Sequence, residues 1–366
     1  MNRFAFLIHP LDIDDVVRYA PTAAGKREAL VAKILEWMPP YRASDVVGVR
    51  SAATGQTAEG VFVCVPLLPR QFLELDRNAV LDRILKAASL GQELGASIVG
   101  LGGYTSVVGG AGRVVAERLQ AGVTSGNSYT VATALEGALE AARILDLDVR
   151  EATVAVVGAT GSIGSICARI LARQVGRLIL IARSKSRLCH LAERVHREGR
   201  AAVGLETDLE RGLASADIVI SATTSGGGII LPHVLKPGAV VCDVAVPHDV
   251  CREVAHRRPD VLVIEGGVVE APGSPNFNFD FGYPPGLCLA CMAETMTLAL
   301  EGRTGDYSLG RGLELERVEE IAAMARRHGF RLAGFRAFDQ PVTRARIDEV
   351  RHERLKAQKR GLRVIG

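Results

Sequence analysis

Two stretches of this chain hold residues whose types and spacing could do chemistry. The first is Thr153-Val-Ala-Val-Val-Gly158-Ala-Thr-Gly161-Ser-Ile-Gly164, a β-branched run that enters a glycine turn and then the helical stretch Ser165–Arg173. A turn bare of side chains lets backbone approach a pyrophosphate, and the helix it opens offers unpaired N–H groups and a positive dipole end to the anion. The spacing is G-x-x-G-x-x-G, so Gly158, Gly161 and Gly164, with Thr160, Ser162 and Ile163 between them, are the candidate dinucleotide-binding residues. The second stretch is Leu287-Cys288-Leu-Ala-Cys291-Met-Ala-Glu294-Thr295-Met296. A thiol there could be a nucleophile, yet cysteine is also a common core residue on an apolar helix, and on residue chemistry alone both roles stay open. A zinc site needs further ligands than one C-x-x-C supplies, so no metal is expected.

The glycine turn needs a parallel sheet to hold it. Strand candidates follow one another at Thr153–Val157, Arg177–Ile181, Ala202–Leu205, Ile218–Ser221, Ala239–Asp243 and Val261–Ile264. The second of these ends in Arg183-Ser184-Lys185-Ser186-Arg187, with no Asp or Glu where an NAD enzyme grips the ribose 2′-OH. Arg183, Ser184 and Arg187 offer two cations and a hydroxyl that suit a 2′-phosphate, which favours NADPH over NADH; ordinary basic residues at a helix start are the plain alternative. Ala222, Thr223 and Thr224 end the fourth strand, where small residues let the nicotinamide half lie against backbone. Asp243 reads equally as a functional acid or a strand-end cap.

Ahead of that domain, strand candidates Phe4–Ile8, Gly60–Val65 and Ser97–Leu101 alternate with helix candidates at Gly25–Trp37, Asn78–Leu94 and Ser128–Leu145. Two polar, glycine-bearing segments there, Gly100–Ser106 and Thr124–Thr130, sit where loops line clefts; an N-cap explains Asn127 or Ser128 as well as ligand binding does. Behind the domain comes Ala271–Gly286, with four prolines, two asparagines and four aromatic residues, read as a loop over a site. Helical segments Leu287–Glu301 and Glu314–His328 follow, then an Arg- and Lys-rich tail read as a solvated helix face. The expectation is an α/β fold in three parts with parallel strands: an N-terminal α/β lobe over 1–148, a Rossmann-type NAD(P)-binding domain over 149–270, and a loop with C-terminal helices over 271–366.

Composition narrows the class. With 366 residues, 48% hydrophobic and 23% charged, the chain is globular rather than disordered, and 44 Lys+Arg against 41 Asp+Glu leave no basic field for nucleic acid. Seven dispersed cysteines point to a reducing compartment, and no run approaches a membrane span, so a soluble, cytoplasmic protein is expected.

Several segments together resemble the cyanobacterial-type long-chain acyl-[acyl-carrier-protein] reductases, which form fatty aldehydes. They are Phe4-Ala-Phe-Leu-Ile-His-Pro-Leu, Leu101-Gly-Gly-Tyr-Thr-Ser, Thr124-Ser-Gly-Asn-Ser-Tyr-Thr, the glycine turn from Ala152, Glu265-Gly-Gly-Val-Val-Glu270 and Ala290-Cys-Met-Ala-Glu-Thr-Met. The resemblance covers residues 1 to about 335. It implies that a cysteine attacks the thioester of acyl carrier protein, or of acyl-CoA, and that NADPH then releases the acyl group as aldehyde. A downstream aldehyde-consuming enzyme would follow as a partner. The family's Ala-Cys-x-Ala-Glu segment places the nucleophile at Cys291, and Tyr104, Ser106 and Thr130 are candidates to stabilise the oxyanion.

Asp243-Val-Ala-Val-Pro247-His248-Asp249 departs from the cyanobacterial pattern and looks more like glutamyl-tRNA reductase, whose Ser-Cys-Asn-Arg nucleophile segment is absent here. A shikimate-type dehydrogenase that transfers hydride directly, and a non-catalytic NADP-binding module, are the competing readings.

Overall fold

A computed structural model describes residues 2–338 and 340–364. The chain groups into two compact units that do not follow chain order: 1–129 with 269–331, and 130–268 with 332–366. Where the sequence reading divides the chain into three consecutive stretches, the folded chain returns after its dinucleotide-type sheet to complete the first lobe. The chain passes between units inside the helix Asn127–Ile144, between Val268 and Val269, and between Arg331 and Leu332.

The first unit is built on six strands: β1 Asn2–Ile8, β2 Tyr41–Arg50, β3 Thr57–Cys64, β4 Ile98–Leu101, β5 Gly122–Thr124 and, from the returning segment, Gly273–Asn276. Its order runs Gly273–Asn276, β2, β3, β1, β4, β5. The pairs β3/β1/β4/β5 are parallel, as expected, but β2 and the Gly273–Asn276 strand are antiparallel. The stretch read as a loop over a site is therefore in part an edge strand, its Pro275 tolerated because an edge has one unpaired side.

Period-2 alternation in β1 sends Ala5 and Leu7 to one face, where they join Val61, Val63, Val80, Ile84 and Ala87 in a core with the helix Arg77–Glu93. The helix Ala290–Leu300 packs on β1 and β4. It approaches closely because Gly100 has no side chain: a Cβ there would lie 2.1 Å from Thr295 Oγ1 and 2.5 Å from Phe6. Covered in this way, every residue of that helix except Cys291 is buried.

The second unit holds a fully parallel sheet of β6 Thr153–Val157, β7 Arg177–Ile181, β8 Ala202–Glu206, β9 Ile218–Ser221, β10 Val240–Asp243 and β11 Leu262–Glu265. The order β8-β7-β6-β9-β10-β11 is the doubly wound dinucleotide-binding arrangement, with the reversal of strand order beside β6. The α/β fold with a Rossmann-type domain is thus present.

The basic tail forms the helix Arg344–Val364, and it is not simply a solvated face. Arg346 donates to the carbonyls of Arg258, Pro259 and Val261, and Arg351 and Arg354 donate to Ile144 and Leu145. These last two carbonyls lie at the C-terminal end of the Asn127–Ile144 helix, where carbonyls have no donor within their own helix. Among the described residues no helix is long and apolar enough to cross a membrane, and no three His, Cys, Asp or Glu side chains gather as a metal site.

Candidate functional site

In the second unit, β6 delivers the chain into the glycine turn. Gly158 sits at φ +75°, and a Cβ there would lie 2.5 Å from the Ala222 carbonyl oxygen. Gly164 lies flat on the turn, where a Cβ would meet the Gly158 carbonyl oxygen at 2.4 Å. Gly161 is the N-cap of the helix Ser162–Leu171 and supplies no capping side chain. The turn is pinned by Gly161 N–H donating to Gly158 O at 2.9 Å, and by Gly158 N–H donating to Ile181 O at 3.0 Å. The result is a bare backbone cradle under a helix N-terminus, which fits a pyrophosphate. Thr160, Ser162 and Ile163 are partly exposed along it.

The neighbouring strand ends complete the cradle. β6 is flanked by β7 on one side and β9 on the other, both parallel to it, so the tip Arg183–Arg187 and the loop Ala222–Thr224 lie at the same end of the sheet as the turn. Arg183 and Arg187 are exposed, while Ser184 caps the helix Lys185–Glu198 by accepting from Arg187 N–H at 3.5 Å. The plain helix-start role therefore holds for Ser184, and the two guanidinium groups remain at the tip.

The loop after β9 is held by a residue that sequence reasoning did not single out. Asp249 is fully buried; its carboxylate accepts from Ser221 Oγ (2.7 Å), Thr223 N–H (3.0 Å), Thr223 Oγ1 (2.5 Å) and Ser225 Oγ (2.9 Å). Asp243 is likewise buried and accepts from Ala245 N–H (3.1 Å) and Val250 N–H (2.8 Å), which is the strand-end capping role. Burial pushes its carboxyl well above the usual carboxylate range, and the imidazole of His248, 3.7 Å away, pulls the other way.

In the first unit, a short strand Leu287–Leu289 leads straight into the helix Ala290–Leu300 and puts Cys291 in its first turn, half-buried. Cys64, Cys167, Cys242 and Cys288 are all buried outright. Desolvation pushes the Cys291 thiol up to about 12, helped by the nearby Glu294 and opposed by backbone N–H groups of the helix start. The resting thiol is therefore protonated.

The segment Thr124–Tyr129 closes over this cysteine. Gly126, at φ +73°, is pressed so tightly on it that a Cβ would lie 2.2 Å from Cys291 Cβ and 2.4 Å from Cys291 Cα. Glu294, one turn beyond Cys291 and fully buried, joins the two segments: it accepts from Tyr129 N–H at 2.7 Å and from Thr124 Oγ1. Burial pushes the Glu294 carboxyl up, and its donors on Ser308, Thr124, Tyr129 and Ser128 offset part of that rise. A lone acid inside Ala-Cys-Met-Ala-Glu-Thr-Met-Thr-Leu-Ala-Leu, an otherwise uncharged helix, is the sequence signal that could have found it, since a carboxyl is almost never fully buried unless paired.

The remaining candidates are scattered. Tyr104 is 2% exposed and packs against Phe72 and His9. Ser106 Oγ donates to its own turn at Gly103 O (2.7 Å), and Thr130 is half-buried just after the Thr124–Tyr129 segment. His9 accepts from Tyr104 N–H through Nε2 at 3.0 Å, with Nδ1 2.9 Å from Pro10 O. The segments Ile8-His9-Pro10 and Gly103-Tyr104 thus form one lock.

A family model described as Shikimate / quinate 5-dehydrogenase matches residues 140–264, the span of the parallel sheet. The chain is 36% identical over 307 residues to the aminotransferase PigE of a Serratia species, covering 81% of this chain and 35% of PigE. It therefore spans about a third of that relative's length. It is 31% identical over 306 residues to the long-chain acyl-[acyl-carrier-protein] reductase of Synechococcus elongatus, covering 80% of this chain and 87% of that protein. A shorter match, 32% over 121 residues, joins it to the glutamyl-tRNA reductase of Sorangium cellulosum, covering 31% of this chain and 22% of that enzyme. The matched dehydrogenase model and the two reductase relatives, with the Rossmann-type sheet, support an oxidoreductase-type family and a nicotinamide cofactor.

Proposed function

The chain belongs to the family of the long-chain acyl-[acyl-carrier-protein] reductase of Synechococcus elongatus, and on that premise we propose that it reduces a fatty acyl thioester to an aldehyde through a cysteine acyl-enzyme. The observation that carries the reading is Cys291, the one residue of an otherwise buried helix to reach the surface of its lobe, framed by Gly126 and Glu294. The substrate is a long acyl chain on acyl carrier protein, with coenzyme A as the alternative carrier.

In the first step Cys291 Sγ bonds to the thioester carbonyl carbon, the carbon–sulfur bond to the carrier breaks, and the thiol proton of Cys291 passes to the departing carrier thiolate. Exchange of one thioester for another is nearly isoenergetic, so the work of the site is orientation. A thiol pushed up to about 12 by burial stays protonated near neutral pH, so proton loss must accompany attack. The Gly158–Gly164 turn would hold the pyrophosphate of NADPH, Arg183 and Arg187 its 2′-phosphate, and the Ala222–Thr224 loop its nicotinamide half. When bound, NADPH supplies the hydride that converts the acyl thioester to aldehyde and frees Cys291. Donors such as Ser106 or Thr130 would have to meet the oxyanion; Tyr104, buried among Phe72 and His9, supports the lobe instead.

The match to an aminotransferase is compatible with this product, because an aldehyde is the kind of carbonyl that accepts an amino group. Aminotransfer by this chain itself is disfavoured. The match covers only 35% of PigE, which leaves most of that protein outside the comparison. Incubation with an acyl-carrier-protein thioester without NADPH tests the proposal: one acyl group should appear on the protein, and Cys291→Ala should abolish it along with aldehyde formation. A direct-hydride dehydrogenase of the shikimate type would show no acyl group in either case.

A further inference from the structure

Glu294 makes no covalent contribution in the mechanism above, yet its surroundings are built around it. The Ala290–Leu300 helix carries no other charge, and Glu294 is 0% exposed within it. Both carboxyl oxygens are taken: Oε1 accepts from Thr124 Oγ1, and Oε2 accepts from Tyr129 N–H at 2.7 Å. Tyr129 belongs to the first turn of the Asn127–Ile144 helix, whose N–H groups have no partner within their own helix. The carboxyl therefore caps one helix from inside another, across 165 residues of sequence.

Neighbouring contacts repeat the tie. Thr124 Oγ1, itself bound to Glu294, accepts from Gly126 N–H at 3.2 Å. Ser308 Oγ accepts from Ser128 N–H at 3.3 Å and donates to Ser128 Oγ at 2.7 Å, and its carbonyl accepts from Ser125 Oγ. Ser308 sits at φ 51°, a conformation that costs a side-chain-bearing residue energy and persists only where its surroundings hold it. All of these bonds converge on the six-residue segment 124–129, which presses Gly126 onto Cys291.

We propose that Glu294 is the positioning residue for Cys291: by holding Thr124 and Tyr129 it fixes Gly126 against the cysteine and so sets the direction in which the thiol meets an acyl thioester. The inference rests on Cys291 being the nucleophile. It goes beyond that assignment in naming what aims the sulfur.

Glu294→Gln keeps the shape. An amide can offer its oxygen to Tyr129 N–H, but it then turns an NH2 toward Thr124 Oγ1, which must cease donating there. The test measures acyl-enzyme formation from acyl-carrier-protein thioester in the full-length protein, as a function of thioester concentration, alongside NADPH affinity. Glu294→Gln should form acyl-enzyme about tenfold more slowly at saturation, with the half-saturating concentration and NADPH affinity within about twofold of the parent. Thr124→Val, which removes the Thr124 tie and leaves the others, should fall between the parent and Glu294→Gln.

A wild-type maximal rate in Glu294→Gln, or a deficit confined to half-saturation, overturns the proposal. If Glu294→Gln does not fold, Thr124→Val decides by the same two outcomes. Cys291→Ala in the same assay separates the layers. Persistent labelling there removes the nucleophile assignment itself, whereas lost labelling with a normal Glu294→Gln removes only the positioning role.

Discussion

Gly126→Ala is the sharpest probe of the packing around the sulfur. The residue sits at φ +73°, where an L side chain costs about 1–2 kcal/mol. Its new methyl would lie 2.2 Å from Cys291 Cβ, whereas ordinary contact begins at 3.4 Å, so loop and helix must separate by about 1.2 Å (3.4 − 2.2). Neither neighbour is a flexible side-chain end: one is the cysteine's own Cβ and the other its backbone Cα. A displacement of that size at a reacting atom costs on the order of a hundredfold in rate.

The assay follows acyl transfer to the protein by intact mass under single-turnover conditions, with NADPH binding and the thermal midpoint measured in parallel. Acylation should drop by about two orders of magnitude while NADPH binding, proposed for the Gly158–Gly164 turn of the other unit, is kept. Gly305→Ala is the control, since it lies in the same unit with no atom within 4 Å of the added methyl and no positive φ. Near-parental acylation by Gly126→Ala would refute the claim that this glycine's backbone frames the nucleophile.

Two further perturbations address other parts of the molecule. Arg183→Ala should raise the KM for NADPH about tenfold, the worth of one charge-assisted hydrogen bond, and leave that for NADH nearly unchanged; parallel changes in both would remove Arg183 from the 2′-phosphate. His9 is held near pKa 4 by burial against an ordinary 6.5, so the unfolded chain takes its proton first as pH falls. Stability present above pH 6.5 is lost between 6.5 and about 4 at ~1.4 kcal/mol per pH unit, reaching about 2 kcal/mol by pH 5. Urea unfolding at pH 7.5 and 5.0 should show that loss in the parent and a loss smaller by that amount in His9→Gln; equal losses would mean His9 does not stay neutral in the folded lobe.

The features that could be read from sequence were those set by local spacing. The glycine turn, the strand before it and the helix after it are contiguous, so their geometry is written in adjacent residues, and the parallel run from β6 to β11 follows from repeated β-branched strands. Strand β2 escaped because Tyr-Arg-Ala-Ser-Asp-Val-Val-Gly-Val-Arg buries only Val46 and Val49 and shows no sustained alternation. Its antiparallel partner Gly273–Asn276 was masked by proline and glycine, which edge strands accept.

The return of 269–331 to the first unit and the union of Glu294 with Thr124 and Tyr129 depend on contacts about 165 to 170 residues apart, which no periodicity encodes. The arginines of the tail look like a solvated helix in sequence, because their acceptors are carbonyls at the end of a distant helix.

The most direct measurement is intact-mass analysis of the protein after exposure to a fatty acyl-carrier-protein thioester in the absence of NADPH, followed by peptide mapping. One acyl group per chain, carried on Cys291 and discharged as aldehyde when NADPH is added, is the predicted result. An unmodified protein that still forms aldehyde with NADPH, or an acyl group mapped to any other residue, would contradict it.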